Sequence, residues 1–120
     1  MTHKILNLIA QTIFDKKGLN IFVLDVRDES TLTDYFIIAE GTASRHTKAL
    51  ADAIIEAMDK QGYDVCHVEG LAHGDWVVVD FVDVVVHLFA PGVRVQYGLE
   101  KLWSEGKIVD VQIQVERNLK

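Results

Sequence analysis

A single cysteine, a single proline and a shortage of basic residues are the scarcities that first constrain this chain of 120 residues. One thiol, Cys66, can form neither an internal disulfide nor a multi-cysteine metal site, which suits a reducing compartment. One proline, Pro91, rules out a Pro-rich linker, and an apolar fraction of 49% rules out a disordered chain. No apolar run reaches transmembrane length, and Met1-Thr2-His3-Lys4-Ile5 opens an amphipathic pattern instead of a signal-peptide core. Twelve Lys and Arg against eighteen Asp and Glu leave a formal charge of −6. That balance disfavours broad contact with nucleic-acid phosphates, serves solubility, and suits a basic partner surface. We read one cytoplasmic, globular domain with a single core.

What is present is organised around Gly74 to Pro91, where two apolar, β-branched runs flank a short polar interruption. Valine, leucine and aromatics fit a packed pleated surface, and a run without alternation predicts a hairpin covered on both faces, turning near Val82-Asp83. Upstream, Ile5, Ile9 and Ile13 recur at helical spacing within Thr2 to Lys17, with Gly18 expected in the left-handed closing position. Strands follow at Asn20 to Val26 and Asp34 to Glu40. A second helix is expected after Gly41, capped by Thr42 or Ser44, with Thr47, Leu50, Ala51, Ile54, Ile55 and Met58 on its apolar face. Tyr63 to Glu69 alternates as a half-buried strand does. Val93 to Ser104 has helical spacing that includes Tyr97, Leu99, Leu102 and Trp103, and Val109 to Glu116 alternates cleanly.

Several residue groups invite a chemical reading. Asp80 and Asp83 flank the hairpin turn, near enough in sequence to suggest a carboxylate pair holding metal ions for nucleotidyl transfer. Residues three apart on a strand point to opposite faces, so turn and edge solvation is the favoured reading. Gly41-Thr42-Ala43-Ser44 precedes a helix, where amides and the helix dipole could receive an anion. It lacks the glycines and lysine of a P-loop, which favours simple capping. His46, His67, His73 and His87 fall on separate elements without metal-ligand spacing, and Cys66 has no neighbouring motif that would activate it. Trp76 at the mouth of a strand is equally a core-edge residue and an interface anchor, and Tyr97 and Trp103 share that ambiguity.

Thr33 to Thr42, Ser44-Arg45-His46, Lys48 to Ile54, Glu69-Gly70, Trp76 to Asp80, Asp83 to His87 and Leu99 to Trp103 closely resemble the ribosomal silencing factor S, or Iojap-like, family. The resemblance implies an α/β fold, a mixed sheet of about five strands flanked by helices, with a nucleotidyltransferase-like core lacking the catalytic residues. It implies no reaction, no cofactor and no metal. Such proteins bind the large ribosomal subunit through its protein fourteen, block joining of the small subunit, and are often homodimers when free. Neither a membrane nor direct nucleic-acid specificity is implied. Trp76 carries over as a docking residue. Glu69, Asp75 and Asp80 are added from charge and neighbourhood, and Tyr97 and Trp103 as further partner-binding candidates.

Three departures stand out. Val82 replaces the glycine usual in the family's hairpin turn, which disfavours a positive φ there. Ala90-Pro91-Gly92 is slighter than the common continuation. The alternating tail extends past the usual end, so residues 1–106 are expected as the silencing-factor domain and 107–120 as an extension adding a strand that pairs. The alternative function is a metal-dependent nucleotidyltransferase-like enzyme using Gly41 to Ser44 with Asp80 and Asp83.

Overall fold

Leu6, Ile9, Ala10 and Ile13 return to one side of a helix every three or four residues, and all four are fully buried along α1, Thr2–Asp15. A computed structural model describes residues 2–27, 33–91 and 107–108. After α1 the chain runs through β1 (Leu19–Asp25), β2 (Tyr35–Glu40), α2 (Ser44–Lys60), β3 (His67–Glu69), β4 (Trp76–Asp80), β5 (Val84–Phe89) and β6 (Lys107–Ile108). The strands form one mixed sheet in the order β3-β4-β5-β2-β1-β6. Among the described strands only β2 and β5 pair in parallel; the crossover between them carries α2 and the β3–β4 hairpin.

Both helices cover the same side of the sheet. Leu6, Ile9 and Ile13 from α1 and Leu50, Ala51, Ile54 and Met58 from α2 share a core with Val23, Ile37, Ala39, Val77, Val79, Val86 and Leu88. A separate cluster of Leu24, Val26, Ile38 and Phe89, with Phe36 and Trp76 against it, lies on the opposite side. Burial along β4 and β5 therefore alternates although their sequence does not: Val77 and Val79 are buried, Trp76, Val78 and Asp80 are half-buried. This corrects the expectation of a hairpin equally covered on both faces. Valine tolerates either environment, so an unbroken valine run hides the alternation.

The helix ends also differ from expectation. Lys17, not Gly18, takes the left-handed conformation at φ 72°, while Gly18 N–H donates to Ile13 O (2.8 Å) and Lys17 N–H to Phe14 O (3.0 Å). Those two bonds are the six-to-one and five-to-two pair of a Schellman ending, with glycine one place later than usual. Its place is fixed by space, since a Cβ on Gly18 would collide with Ile13 Cγ2. At the start of α2 the N-cap is Ala43, with extended φ and ψ and no side-chain cap bond, in place of the expected Thr42 or Ser44. The alternating stretch from Tyr63 is a strand only over His67–Glu69, although Cys66 N–H already donates to Asp80 O (2.8 Å).

Val82 keeps a positive φ, 76°, against the expectation that a valine there would avoid it. Asp83 N–H closes a three-residue turn on Phe81 O (3.0 Å), and Val82 N–H donates to Asp80 Oδ1 (2.7 Å). Asp83 O in turn accepts from both Asp34 N–H and Tyr35 N–H, each at 3.1 Å, which locks the turn against the start of β2. The surrounding bonds thus over-determine a backbone conformation that a β-branched side chain disfavours. The expected helix from Val93 to Ser104 and the strand from Val109 to Glu116 lie outside the described residues. Lys107–Ile108 pairs antiparallel with β1 at Leu24 and Asp25.

Candidate functional site

Strand register decides which candidates meet. Trp76 pairs with Phe89, Val78 with His87, and Asp80 with Val85; across β3, Glu69 pairs with Val78 and His67 with Asp80. Paired residues share a face. Trp76, Glu69 and Asp80 therefore stand together on the side away from α1 and α2, with Phe36, Ile38 and Glu40 of β2 beyond β5 on the same side.

Trp76 is half-buried at one end of this face. Its ring stacks on Phe89 with centroids 5.4 Å apart, and its indole Nε1–H donates to His87 Nδ1 at 3.1 Å. Phe36 meets the His87 ring edge-on at 5.1 Å. Because Nδ1 accepts, the neutral His87 ring carries its proton on Nε2, and that buried N–H has no hydrogen-bond partner among the described residues. Burial lowers the His87 pKa to about 4, so the ring is neutral at ordinary pH. An unmet buried donor costs about 1–3 kcal/mol, and packing between aromatic rings is what the site gains in return.

The carboxylates fall into two settings. Glu69 is exposed and receives the His67 ring at 2.8 Å, and Asp80 holds the hairpin turn through Val82 N–H. Asp75 lies elsewhere: its Oδ1 accepts from Ser44 Oγ (2.7 Å) at the first turn of α2, while its carbonyl accepts from Ala90 N–H (2.9 Å). A carboxylate there complements the positive end of the helix dipole and ties α2 to the mouth of β4. Gly70, at φ 86°, allows the chain to pass Trp76, since a Cβ there would collide with Trp76 O. Tyr97 and Trp103 lie outside the described residues.

The loop Gly41 to Ser44 is committed to internal contacts. Gly41 N–H donates to Phe89 O (2.8 Å), Thr42 N–H to His46 Nδ1 (2.8 Å), and Thr47 N–H to Ala43 O (3.0 Å). His46 Nε2 reaches Lys16 O at 2.8 Å, so one imidazole joins the end of α1 to the start of α2. Its sequence signal is position, because the third residue of a helix is where a side chain can turn back on the preceding loop. Gly41 adjoins the last residue of β2, whereas Asp83 bonds to its first, and six residues at ~3.3 Å each put the loop and the hairpin aspartates about 20 Å apart. Glycine loop and aspartates cannot form one nucleotidyl-transfer centre. No group of three or more His, Cys, Asp or Glu able to hold a metal occurs among the described residues. No described helix is long and apolar enough to cross a membrane.

Comparison with known proteins gives this geometry its context. The family "Ribosomal silencing factor during starvation" matches residues 1–120. The chain is 37% identical over 107 residues to the ribosomal silencing factor RsfS of Bacillus subtilis, covering 89% of this chain and 91% of that protein. To the RsfS of Haemophilus influenzae it is 38% identical over 100 residues, covering 83% and 98%. A crystal structure of a Chromobacterium violaceum protein superposes with a TM-score of 0.83 at 32% identity, covering 100% of this chain and 99% of that one. With a family match along its whole length and relatives above 30% identity over most of it, the chain belongs to the ribosomal silencing factor family.

Proposed function

We propose that the chain binds the large ribosomal subunit through ribosomal protein fourteen and represses translation by blocking the small subunit from joining. The observation that carries this reading is the sheet face opposite the helices, where Trp76 stands among Phe36, His87 and Phe89 with Glu69 and Asp80 nearby. An aromatic anchor with a carboxylate rim suits a basic protein surface. Asp75 acts at this site indirectly, by fixing the mouth of β4. Tyr97 and Trp103 complete the set of docking candidates.

Occlusion needs no reaction, so we infer a cytoplasmic, non-enzymatic factor that requires no cofactor and forms a homodimer when free. Residues 107–120 extend the domain, a reading supported by the pairing of Lys107–Ile108 on β1. The test is co-sedimentation with purified large subunits in the absence of nucleotide and divalent-metal cofactor. Wild-type protein is expected to pellet with them, and Trp76→Ala, shown folded by circular dichroism, to lose at least about tenfold in affinity. Failure of the wild type to co-sediment overturns the proposal.

A further inference from the structure

We propose that His87 is the positioning residue for Trp76: its Nδ1 holds the indole N–H and fixes the ring in the orientation that docks. The inference rests on the docking role of Trp76 proposed above and adds the group that sets its geometry. Three observations carry it. The two rings come from neighbouring strands at a diagonal of the register, with Trp76 opposite Phe89 and His87 two residues before it. The Nε1–H to Nδ1 bond is 3.1 Å. Phe36 and Phe89 bracket the imidazole, at centroid separations of 5.1 and 6.2 Å, so His87 has little freedom to turn away.

The chemistry demands an acceptor here. An indole offers one donor and no acceptor, and a half-buried tryptophan keeps its ring in one orientation when a neighbouring side chain takes that donor. Imidazole is suited to the task only while Nδ1 is unprotonated, and its burial under aromatic rings favours the neutral form. The other titratable groups presented to this face by the described strands are Glu40 of β2, Asp80 of β4, and His67 and Glu69 of β3, while β1 contributes the apolar Leu24. The cost of the arrangement is the unpartnered Nε2–H, tolerated because the useful atom is Nδ1.

Two variants separate the nitrogens. The amide oxygen of an asparagine side chain at this position would fall near the present Nδ1, so His87→Asn keeps an acceptor for the indole, whereas His87→Gln extends its amide toward the Nε2 position and removes that acceptor. Large-subunit affinity is expected to stay within about threefold of wild type for His87→Asn and to fall about tenfold for His87→Gln, the loss of one oriented hydrogen bond. The wild-type protein supplies a measurement free of any folding defect: a through-hydrogen-bond nitrogen–nitrogen coupling between Trp76 Nε1 and His87 Nδ1 by NMR. Absence of that coupling, or wild-type binding by His87→Gln while Trp76→Ala is impaired, overturns the positioning role and leaves the docking reading intact. Wild-type binding by Trp76→Ala overturns both.

Discussion

On the helical side of the sheet, Val77, Val79, Val84, Val86 and Leu88 meet Ile9, Leu50 and Ile54 in a largely aliphatic core that also takes in Tyr35 and Met58, whereas on the other side the same two strands present Trp76, Asp80 and His87. One face is closed by α1 and α2, and its side chains need only fill volume. The other combines rings, carboxylates and a neutral histidine around Leu24, Ile38 and Phe89, and leaves a donor unmet. A strand's two-residue period lets one segment serve both purposes, so stability and recognition can be changed separately.

That separation can be tested most severely in the core. Leu50→Ala removes a fully buried side chain between helix and sheet and is expected to destabilise the protein by about 2–5 kcal/mol in denaturant unfolding, without weakening large-subunit binding by the molecules that remain folded. A comparable loss of affinity at full folding would break the distinction between the faces.

A smaller effect is expected from acid. His87 titrates at about 4 in the folded chain against an ordinary value of 6.5, so between these values the unfolded chain holds more protons. Its contribution to stability is fully present above about pH 6.5 and is lost as pH falls toward 4, amounting to about 3 kcal/mol at most. Unfolding measured across this window should show a shallower pH slope in His87→Phe than in the wild type. Equal slopes would mean that His87 is not held neutral by burial.

The smallest effect belongs to the turn. Relief of the left-handed valine is worth about 1–2 kcal/mol, and the extra freedom of an unfolded glycine takes back about 0.5–1. Val82→Gly should therefore raise stability by about 0.5–1 kcal/mol, read as a shift in denaturant midpoint. Val82 is 59% exposed, so little packing is lost.

These cases also indicate what the sequence could convey. The helices were legible because Ile5, Ile9 and Ile13, and Leu50, Ile54 and Met58, keep a helical period, although Leu6 is fully buried where Ile5 is only half-buried. The strands β1 and β2 and the hairpin turn at Val82-Asp83 were legible from apolar, β-rich runs bounded by polar residues. Helix ends were less so, since Lys17 takes the left-handed place while Gly18 is held tight against Ile13, and Ala43 caps α2 with no side-chain bond. The two-faced character of β4 and β5 was hidden by valine. The Trp76–His87 bond was available in principle: a turn at 82–83 sets 78 opposite 87, leaving 76 on its diagonal. What was missing was a reason to treat an isolated histidine in an apolar strand as an acceptor. Asp75 lies close to Glu69 and Asp80 in sequence, and its bonds to Ser44 and Ala90 set it apart from them.

The most direct measurement compares Glu69→Lys, on the sheet face, with Glu56→Lys, on the exposed side of α2, in large-subunit binding at low and moderate salt. Both residues are exposed, and both substitutions replace one negative charge by one positive charge. Glu69→Lys is expected to weaken binding severalfold, more strongly at low salt, with Glu56→Lys near wild type. Equal weakening by the two, or a larger loss from Glu56→Lys, would contradict docking through the Trp76 face.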